Sequence, residues 1–245
     1  MENKIEEFLG IDDLKDYRTL FKQLISEFLG TFFYLALVLS SGIGYGTSQP
    51  NVVIAMANGF LVATVIQIFG HVSGGHVNPA VTLGALVCAR IKPMKAVFYV
   101  IVQVLGSILG AAVAYAVSSD AIKGNLGATV PFPYSKAVQI FVLEFLMTFL
   151  LVAVVLSVTD YARGARGLGS SSLAIGICIT GCLCSSLPYT GSLNPVRTLG
   201  PAVVMNIHHM HWVYWVAPLL GGLVAGLVYR CVLGVCRKNL VLEQE

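Results

Sequence analysis

The sequence carries one short pattern twice, as "HVNPAVTLG" at residues 76–84 and "SLNPVRTLG" at residues 192–200. In both copies an Asn-Pro pair opens an apolar stretch of 12 residues, at 78–89 in the first copy and 194–205 in the second. Proline is favoured in the first turn of a helix, and asparagine is a good cap in front of it. Each copy therefore predicts the start of a short helix, of about 18 Å at 1.5 Å per residue.

The composition indicates that most of the chain is surrounded by lipid. Hydrophobic residues make up 56% and charged residues 11% of the sequence, and the mean hydropathy is +0.81. A soluble domain carries about a quarter charged residues, so this chain has too few to cover a globular surface. Six long apolar segments predict membrane-spanning helices, at 24–41, 52–70, 96–117, 138–158, 173–187 and 212–233.

The two Asn-Pro segments are too short to cross the roughly 30 Å of a bilayer's hydrocarbon core. We predict that they are half-helices that begin inside the membrane. Irregular backbone at that depth is tolerated only where it is buried in protein or lines a wet cavity.

The two halves of the chain repeat each other. "SEFLGTFFYLALVLS" starts at Ser26 and "LEFLMTFLLVAVVLS" starts at Leu143, which pairs Glu27 with Glu144 at an offset of 117. Each half holds three spans, so the second copy must be inverted, and inverted repeats place their site near the membrane midplane. The predicted divisions are an N-terminal segment 1–22, a first channel repeat 23–117, a connecting loop 118–137, a second repeat 138–233 and a tail 234–245.

The lysine and arginine residues predict the orientation. With the N-terminus in the cytoplasm, twelve of them fall on the cytoplasmic side, and only Lys123 and Lys136 fall outside. The positive-inside rule then places both termini in the cytoplasm and makes 118–137 extracellular. The charged first 22 residues do not form a cleavable signal peptide, so the first span is expected to act as an uncleaved anchor.

Several functional classes are disfavoured. The net charge of +3 is spread out, with no basic block interleaved with aromatic residues, so no nucleic-acid partner is expected. The six cysteines form no disulfide framework and have no metal-ligand spacing with histidine. We expect no metal, no cofactor and no catalytic residue, so the chain is not expected to be an enzyme.

Together these motifs resemble the aquaporin, or major intrinsic protein, family over nearly the whole chain. The resemblance implies an all-α polytopic membrane protein with six transmembrane helices and two re-entrant half-helices. It also implies a homotetramer in the lipid bilayer, with one pore per subunit that conducts water passively, and we expect the plasma membrane. The two family triplets correspond to Asn78, Pro79 and Ala80 in the first half, and to Asn194, Pro195 and Val196 in the second.

The asparagines and one arginine predict how such a pore excludes ions and protons. Two half-helix N-termini that face each other present the positive ends of their dipoles and repel cations. A water whose oxygen accepts from both Asn78 and Asn194 points its hydrogens outward, which interrupts a proton wire. The family places the arginine corresponding to Arg197 at the outer constriction, where its charge and donors select solutes.

Three further polar residues are assigned through the resemblance. Glu27 and Glu144 lie in predicted spans, where an unpaired carboxylate is costly. The family's corresponding carboxylates accept hydrogen bonds from the re-entrant loops, so we interpret both as structural supports rather than as a proton relay. His76 corresponds to a residue that lines the cytoplasmic vestibule, and simple support of its loop is the alternative.

The selectivity filter departs from the pattern of water-selective relatives. Asn58 stands where they carry an aromatic residue, and Leu183 stands where they carry a histidine. The second loop is one residue short, so the third filter position is either Gly191 or Ser192. Val196 replaces the usual alanine of the second triplet. The altered filter also loosely resembles those of atypical, insect-type branches.

The two indicators of solute range disagree. A filter without the aromatic and the histidine should be wider or less polar, which favours glycerol or urea beside water. Glycerol facilitators, however, carry aspartate directly after the filter arginine, where this chain has Thr198. A different class of function, an ion channel or an adhesion or junction protein, also stays open, although Arg197 and both asparagines argue against cation conduction.

Overall fold

The computed structural model describes residues 2–43, 51–160, 169–186 and 189–234, and within them all regular structure is helical. Five of the helices are long and apolar enough to cross a membrane. The described helices, in chain order, are α1 (Glu2–Leu9), α2 (Ile11–Lys15), α3 (Tyr17–Ser40), α4 (Asn51–Ser73), α5 (Pro79–Val87), α6 (Pro93–Val117), α7 (Ala137–Val158), α8 (Ser171–Ser186), α9 (Pro195–Met205) and α10 (Val213–Val228). A π-helical turn, Tyr229–Leu233, continues α10. The predicted all-α membrane fold is confirmed.

Helix α3 begins seven residues before the predicted start of the first span. The side chain of Asp16 accepts a hydrogen bond from the backbone N–H of Thr19 at 3.2 Å and so caps the helix there. Arg18 and Lys22 are exposed on its first turns, where hydropathy could not identify a span. Two short helices, α1 and α2, precede it in the segment for which the sequence predicted no helix.

Helix α8 is the shortest of the six predicted spans when the π-helical turn Tyr229–Leu233 is counted with α10. It has 16 residues, or about 24 Å at 1.5 Å per residue. The sequence placed its end at Leu187, which lies outside the described residues. Its neighbour is α4, and the two pack so closely that a side chain at Gly59 or Gly176 would collide with the facing backbone.

The first and third helices of each half pack against each other at a glycine. A Cβ at Gly106 of α6 would lie 2.5 Å from the carbonyl oxygen of Phe28 on α3. A Cβ at Gly221 of α10 would lie 2.6 Å from that of Phe145 on α7. These two contacts occupy matching places in the repeat, and small residues allow such close helix crossings in membranes.

The half-helices lock the two repeats together. Helix α5 of the first half packs on α10 and α7 of the second, where Gly84 lies against Gly222 of α10 and Val152 of α7. Helix α9 of the second half packs on α6 of the first, where Gly200 lies against Ser107. The N-termini of α5 and α9 therefore meet in the interior, between the two halves.

Candidate functional site

Each half-helix starts where its Asn-Pro pair predicted. The side-chain oxygen of Asn78 accepts from the backbone N–H of Ala80 at 2.9 Å, and Pro79 is the first helical residue. Asn194 caps α9 in the same way, accepting from the N–H of Val196 at 3.1 Å. Both caps have extended backbones, so each asparagine stands outside its helix and is free to direct its amide group elsewhere.

The two amide groups cross between the halves. The Nδ2 of Asn78 donates to the carbonyl oxygen of Leu193, and the Nδ2 of Asn194 donates to that of Val77, both at 2.9 Å. Val77 and Leu193 have positive φ values of 43° and 56°, a strained conformation for residues with side chains. An amide nitrogen carries two hydrogens, so each asparagine keeps one donor beyond this contact.

A buried carboxylate supports each loop. Glu27 is fully buried and accepts from the N–H of His76 at 2.8 Å and of Val77 at 2.7 Å. Glu144 is fully buried and accepts from the N–H of Ser192 at 2.9 Å and of Leu193 at 2.8 Å. Each also accepts from one hydroxyl of its loop, that of Ser73 or of Thr190. These contacts fit the expected supporting role.

A long cavity passes the crossed asparagines and reaches from Thr159 and Ser171 at one end to Tyr34 and Asn58 at the other. Both asparagines line it, and most of the remaining lining is aliphatic. His76 also lines it; its Nδ1 lies 3.1 Å from the Oγ1 of Thr82, and its ring meets the ring of Tyr99 edge-on. We call this space the central cavity.

A second, more polar cavity lies beyond Tyr34 and is lined by Arg197, Asn51, Asn125 and Thr190 among others. We call it the outer cavity. Arg197 is 6% exposed, and its Nη1 donates to the carbonyl oxygen of Gly127 at 2.9 Å and to the hydroxyl of Thr129 at 2.6 Å. Its Nε has no hydrogen-bond partner among the described residues. The arginine is thus fixed by one nitrogen and keeps an unused donor.

The predicted filter positions divide between the two cavities. Asn58, Leu183 and Ser192 line the central cavity, whereas Gly191 lines the outer one beside Arg197. The hydroxyl of Ser192 donates to the carbonyl oxygen of Asn194 at 2.8 Å, within the loop that is one residue short. The structure therefore brings these residues to one end of the central cavity, but on both sides of its boundary.

Comparison with known proteins identifies the family. The family model described as "Major intrinsic protein" matches residues 15–229. The chain belongs to the major intrinsic protein family. It is therefore an integral membrane protein built as a passive channel of the aquaporin type, and not an enzyme.

Three relatives illustrate the similarity. The lens fiber major intrinsic protein of Lithobates pipiens is 41% identical over 214 residues, which cover 86% of this chain and 81% of that protein. Aquaporin-4 of Mus musculus is 40% identical over 218 residues, covering 86% and 67%. The neurogenic protein big brain of Drosophila melanogaster is 39% identical over 232 residues, covering 92% of this chain but only 33% of that longer protein.

A solved structure shows the same aquaporin fold. The X-ray structure of the aquaglyceroporin from Plasmodium falciparum superposes with a TM-score of 0.79 and covers 92% of this chain and 100% of that chain. The two sequences are 24% identical, so this likeness concerns the arrangement of the helices alone.

The sequence reasoning missed two residues at the outer end of this aquaporin-type channel. Tyr34 lines the central cavity and donates its hydroxyl hydrogen to Asn58 at 3.0 Å. Thr129, in the loop before α7, accepts from Arg197, and its hydroxyl oxygen lies 3.1 Å from that of Thr198. Tyr34 could have been found, because it lies two helical turns after Glu27 and so on the same face of α3. Nothing local marks Thr129.

Proposed function

We propose that the protein conducts water passively through the central cavity and excludes protons and ions. The observation that carries this proposal is the pair of half-helix N-termini whose caps, Asn78 and Asn194, donate to each other's loops and line the same cavity. No energy source or covalent step is needed, and flow follows the osmotic gradient.

The asparagines interrupt a proton wire in this proposal. Each Nδ2 donates one hydrogen to the opposite loop and keeps the other for a passing water. A water that accepts from both Asn78 and Asn194 must direct its own hydrogens away from the centre. The positive ends of the α5 and α9 dipoles add a barrier to cations at the same point.

Arg197 acts as the second barrier. Its guanidinium is held at the outer cavity by Gly127 and Thr129 and is nearly buried. A fixed positive charge at this position repels cations. His76 lines the opposite side of the asparagine pair from Arg197, and Glu27 and Glu144 keep the loops in place.

The proposal also covers the orientation of the chain, its host membrane and its assembly. We place both termini in the cytoplasm, because twelve lysine and arginine residues then lie inside and two outside. We propose the plasma membrane as the host and a homotetramer as the assembly, both on the basis of family membership. The repeat boundaries 23–117 and 138–233 belong to the same proposal.

The test is stopped-flow light scattering of proteoliposomes that contain the purified chain. Water flux well above that of empty vesicles is expected, and Arg197→Val should retain it. Equal flux with and without protein would contradict the proposal. Glycerol and urea gradients run in parallel measure the solute range, which the residues at Asn58 and Leu183 leave undecided at the level of sequence.

Voltage clamp separates the ion-channel alternative. Oocytes that express the chain should show no conductance beyond that of uninjected cells, because Arg197 and two dipole ends face the cation path. A conductance that appears with the wild type and survives Arg197→Val would favour an ion channel instead.

A further inference from the structure

Tyr34 and Asn58 form a polar pair at the outer end of the central cavity. The hydroxyl of Tyr34 on α3 donates to the side-chain oxygen of Asn58 on α4 at 3.0 Å. The two residues are 3% and 2% exposed, and both line the cavity. Two helices are thus joined across a lining that is otherwise mostly aliphatic on this side.

The pair stands where one cavity ends and the next begins. Tyr34 and Asn58 line the central cavity, whereas Val38 and Ile54, one turn further out on the same helices, line the outer cavity. Among the described residues, none lines both cavities. Tyr34 and Asn58 therefore lie at the outer end of the central cavity, next to the outer cavity that Arg197 lines.

The other half of the channel has no such pair. Leu151 and Ile175 occupy the positions 117 residues after Tyr34 and Asn58, and both line the central cavity with aliphatic side chains. The inverted repeat thus presents the same four positions to the pore, and among these four only Tyr34 and Asn58 supply an aromatic ring and a hydrogen bond between the two side chains. General helix packing does not require this difference, because the inner pair packs without it.

Asn58 is held so that its oxygen faces the tyrosine. Its Nδ2 donates to the carbonyl oxygen of Ile54, one turn earlier, at 2.8 Å. That bond fixes the orientation of the amide, and a buried phenol hydroxyl gains from having its partner already in place. Asn58 stands where water-selective relatives carry an aromatic residue. It therefore affects the pore by holding Tyr34, and not by widening the pore at its own position.

We propose that Tyr34 is the aromatic wall of the filter, supplied by α3 instead of α4, and that Asn58 is its positioning residue. The pair then sets the size limit, so that water passes and glycerol and urea are excluded. This inference rests on the proposed water-channel function and assigns its solute range.

The experiment compares water, glycerol and urea permeability in proteoliposomes. Wild type should pass water and neither solute. Tyr34→Ala should keep water flux and raise glycerol and urea permeability by about tenfold, because the proposed aromatic wall of the filter is removed. Tyr34→Phe and Asn58→Ala should each raise them less. The double variant Tyr34→Phe/Asn58→Ala should have the same glycerol and urea permeability as Tyr34→Phe, because both substitutions break the same hydrogen bond.

A control separates selectivity from general loosening. Phe33→Ala removes the neighbouring, 45% exposed ring on the same helix, which does not line the central cavity. It should not change the ratio of solute to water permeability. If Tyr34→Ala does not fold, Tyr34→Phe and Asn58→Ala carry the test, because both preserve most of the packing.

Each outcome separates this inference from the proposed function. Glycerol passage by wild type, or an unchanged solute-to-water ratio in Tyr34→Ala, overturns the inference while water conduction stands. An equal rise of the ratio in Phe33→Ala also overturns it. Water flux in Tyr34→Ala but not in wild type contradicts the proposed function and also overturns the inference that the pair lets water pass. No flux in any variant overturns both.

Discussion

The two loops that begin the half-helices share a plan and differ in their surroundings. In both, a buried glutamate accepts from two consecutive N–H groups, and an asparagine donates to the opposite loop. The first loop is completed by Gln103, whose Nε2 donates to Glu27 and to Thr82. The second is completed by Arg197 and Thr198, which both reach Thr129 in the loop before α7.

The second loop is one residue shorter than the first, and the side chain of Ser192 makes hydrogen bonds within it. Five residue steps separate Ser73 from Asn78, but only four separate Thr190 from Asn194. The hydroxyl of Ser192 compensates, since it donates to the carbonyl oxygen of Asn194 and accepts from Thr198 at 2.7 Å. The shared plan builds the centre of the pore, whereas the differences are concentrated at its outer end. The features that the two loops share thus form the scaffold of the pore. We infer that the features that differ between them determine its selectivity.

The largest effect is expected from removing the glutamates, which would break the shared plan. Glu27→Ala leaves four buried donors without an acceptor and Glu144→Ala leaves three, at about 1–3 kcal/mol for each unpaired group. We expect both variants to give a lower yield of monodisperse protein in detergent than the wild type, and we expect the lower yield of the two for Glu27→Ala. Size-exclusion chromatography and thermal unfolding measure this. Glu6→Ala, on the exposed α1, is the control, and an equal result for Glu6→Ala and Glu27→Ala would refute the supporting role.

A smaller effect is expected from removing the contacts in which the two loops differ. Thr129→Val removes one of the two acceptors of Arg197, and Gln103→Leu removes hydrogen bonds to Glu27 and Thr82. Each should cost about 1–3 kcal/mol of stability. Only Thr129→Val should also change the solute-to-water permeability ratio, because it leaves the filter arginine held by Gly127 alone. A change of that ratio in Gln103→Leu of the same size would show that the two loops do not divide these roles.

The smallest effect is expected at the outer connection between α9 and α10. Burial, and then the nearby His208, lower the pKa of His211, whose Nε2 accepts from the Nε1 of Trp215 at 3.2 Å. The folded state therefore binds a proton less readily than the unfolded chain, and stability falls as the pH drops below about 6.5. The matching inner connection carries Arg90 in an ion pair with Asp160 and no histidine.

We expect the unfolding temperature to fall by about 1–2 °C between pH 7 and pH 5 through this group. His211→Gln should remove that part of the pH dependence, and His209→Gln, at an exposed neighbour, should leave it unchanged. Differential scanning fluorimetry in detergent across this range measures the difference. An unchanged slope in His211→Gln would place the pH dependence elsewhere.

The sequence was a good guide wherever the cause is local. The starts of α5 and α9 follow from the Asn-Pro chemistry, and the helices follow from hydropathy. Glu27 and Glu144 were recognisable because a repeated charge inside an apolar span needs partners. The start of α3 was missed because its cap, Asp16, lies among charged residues that hydropathy excludes.

The outer end of the site was not predictable in the same way. A tyrosine in an apolar helix usually packs in a core or at the membrane interface, so the only sequence signal for Tyr34 is its place on the same face of α3 as Glu27. Its partner lies 24 residues away on another helix, and the contact exists only once α3 and α4 have packed. Thr129 reaches Arg197 across 68 residues from a loop without regular structure. Such contacts depend on tertiary packing, which one sequence does not reveal.

The crossed asparagine bonds bear on how the chain is made. Asn78 donates to the carbonyl of Leu193, which is 115 residues further along the chain, and Asn194 returns the bond to Val77. When the ribosome has finished the first half, Asn78 and the carbonyl of Val77 still lack these partners. The first loop can therefore reach its final form only after the second has been synthesised and inserted. Maturation of the pore is a late, joint event of both halves, and a nascent chain cut before Leu193 would hold α5 without its partner.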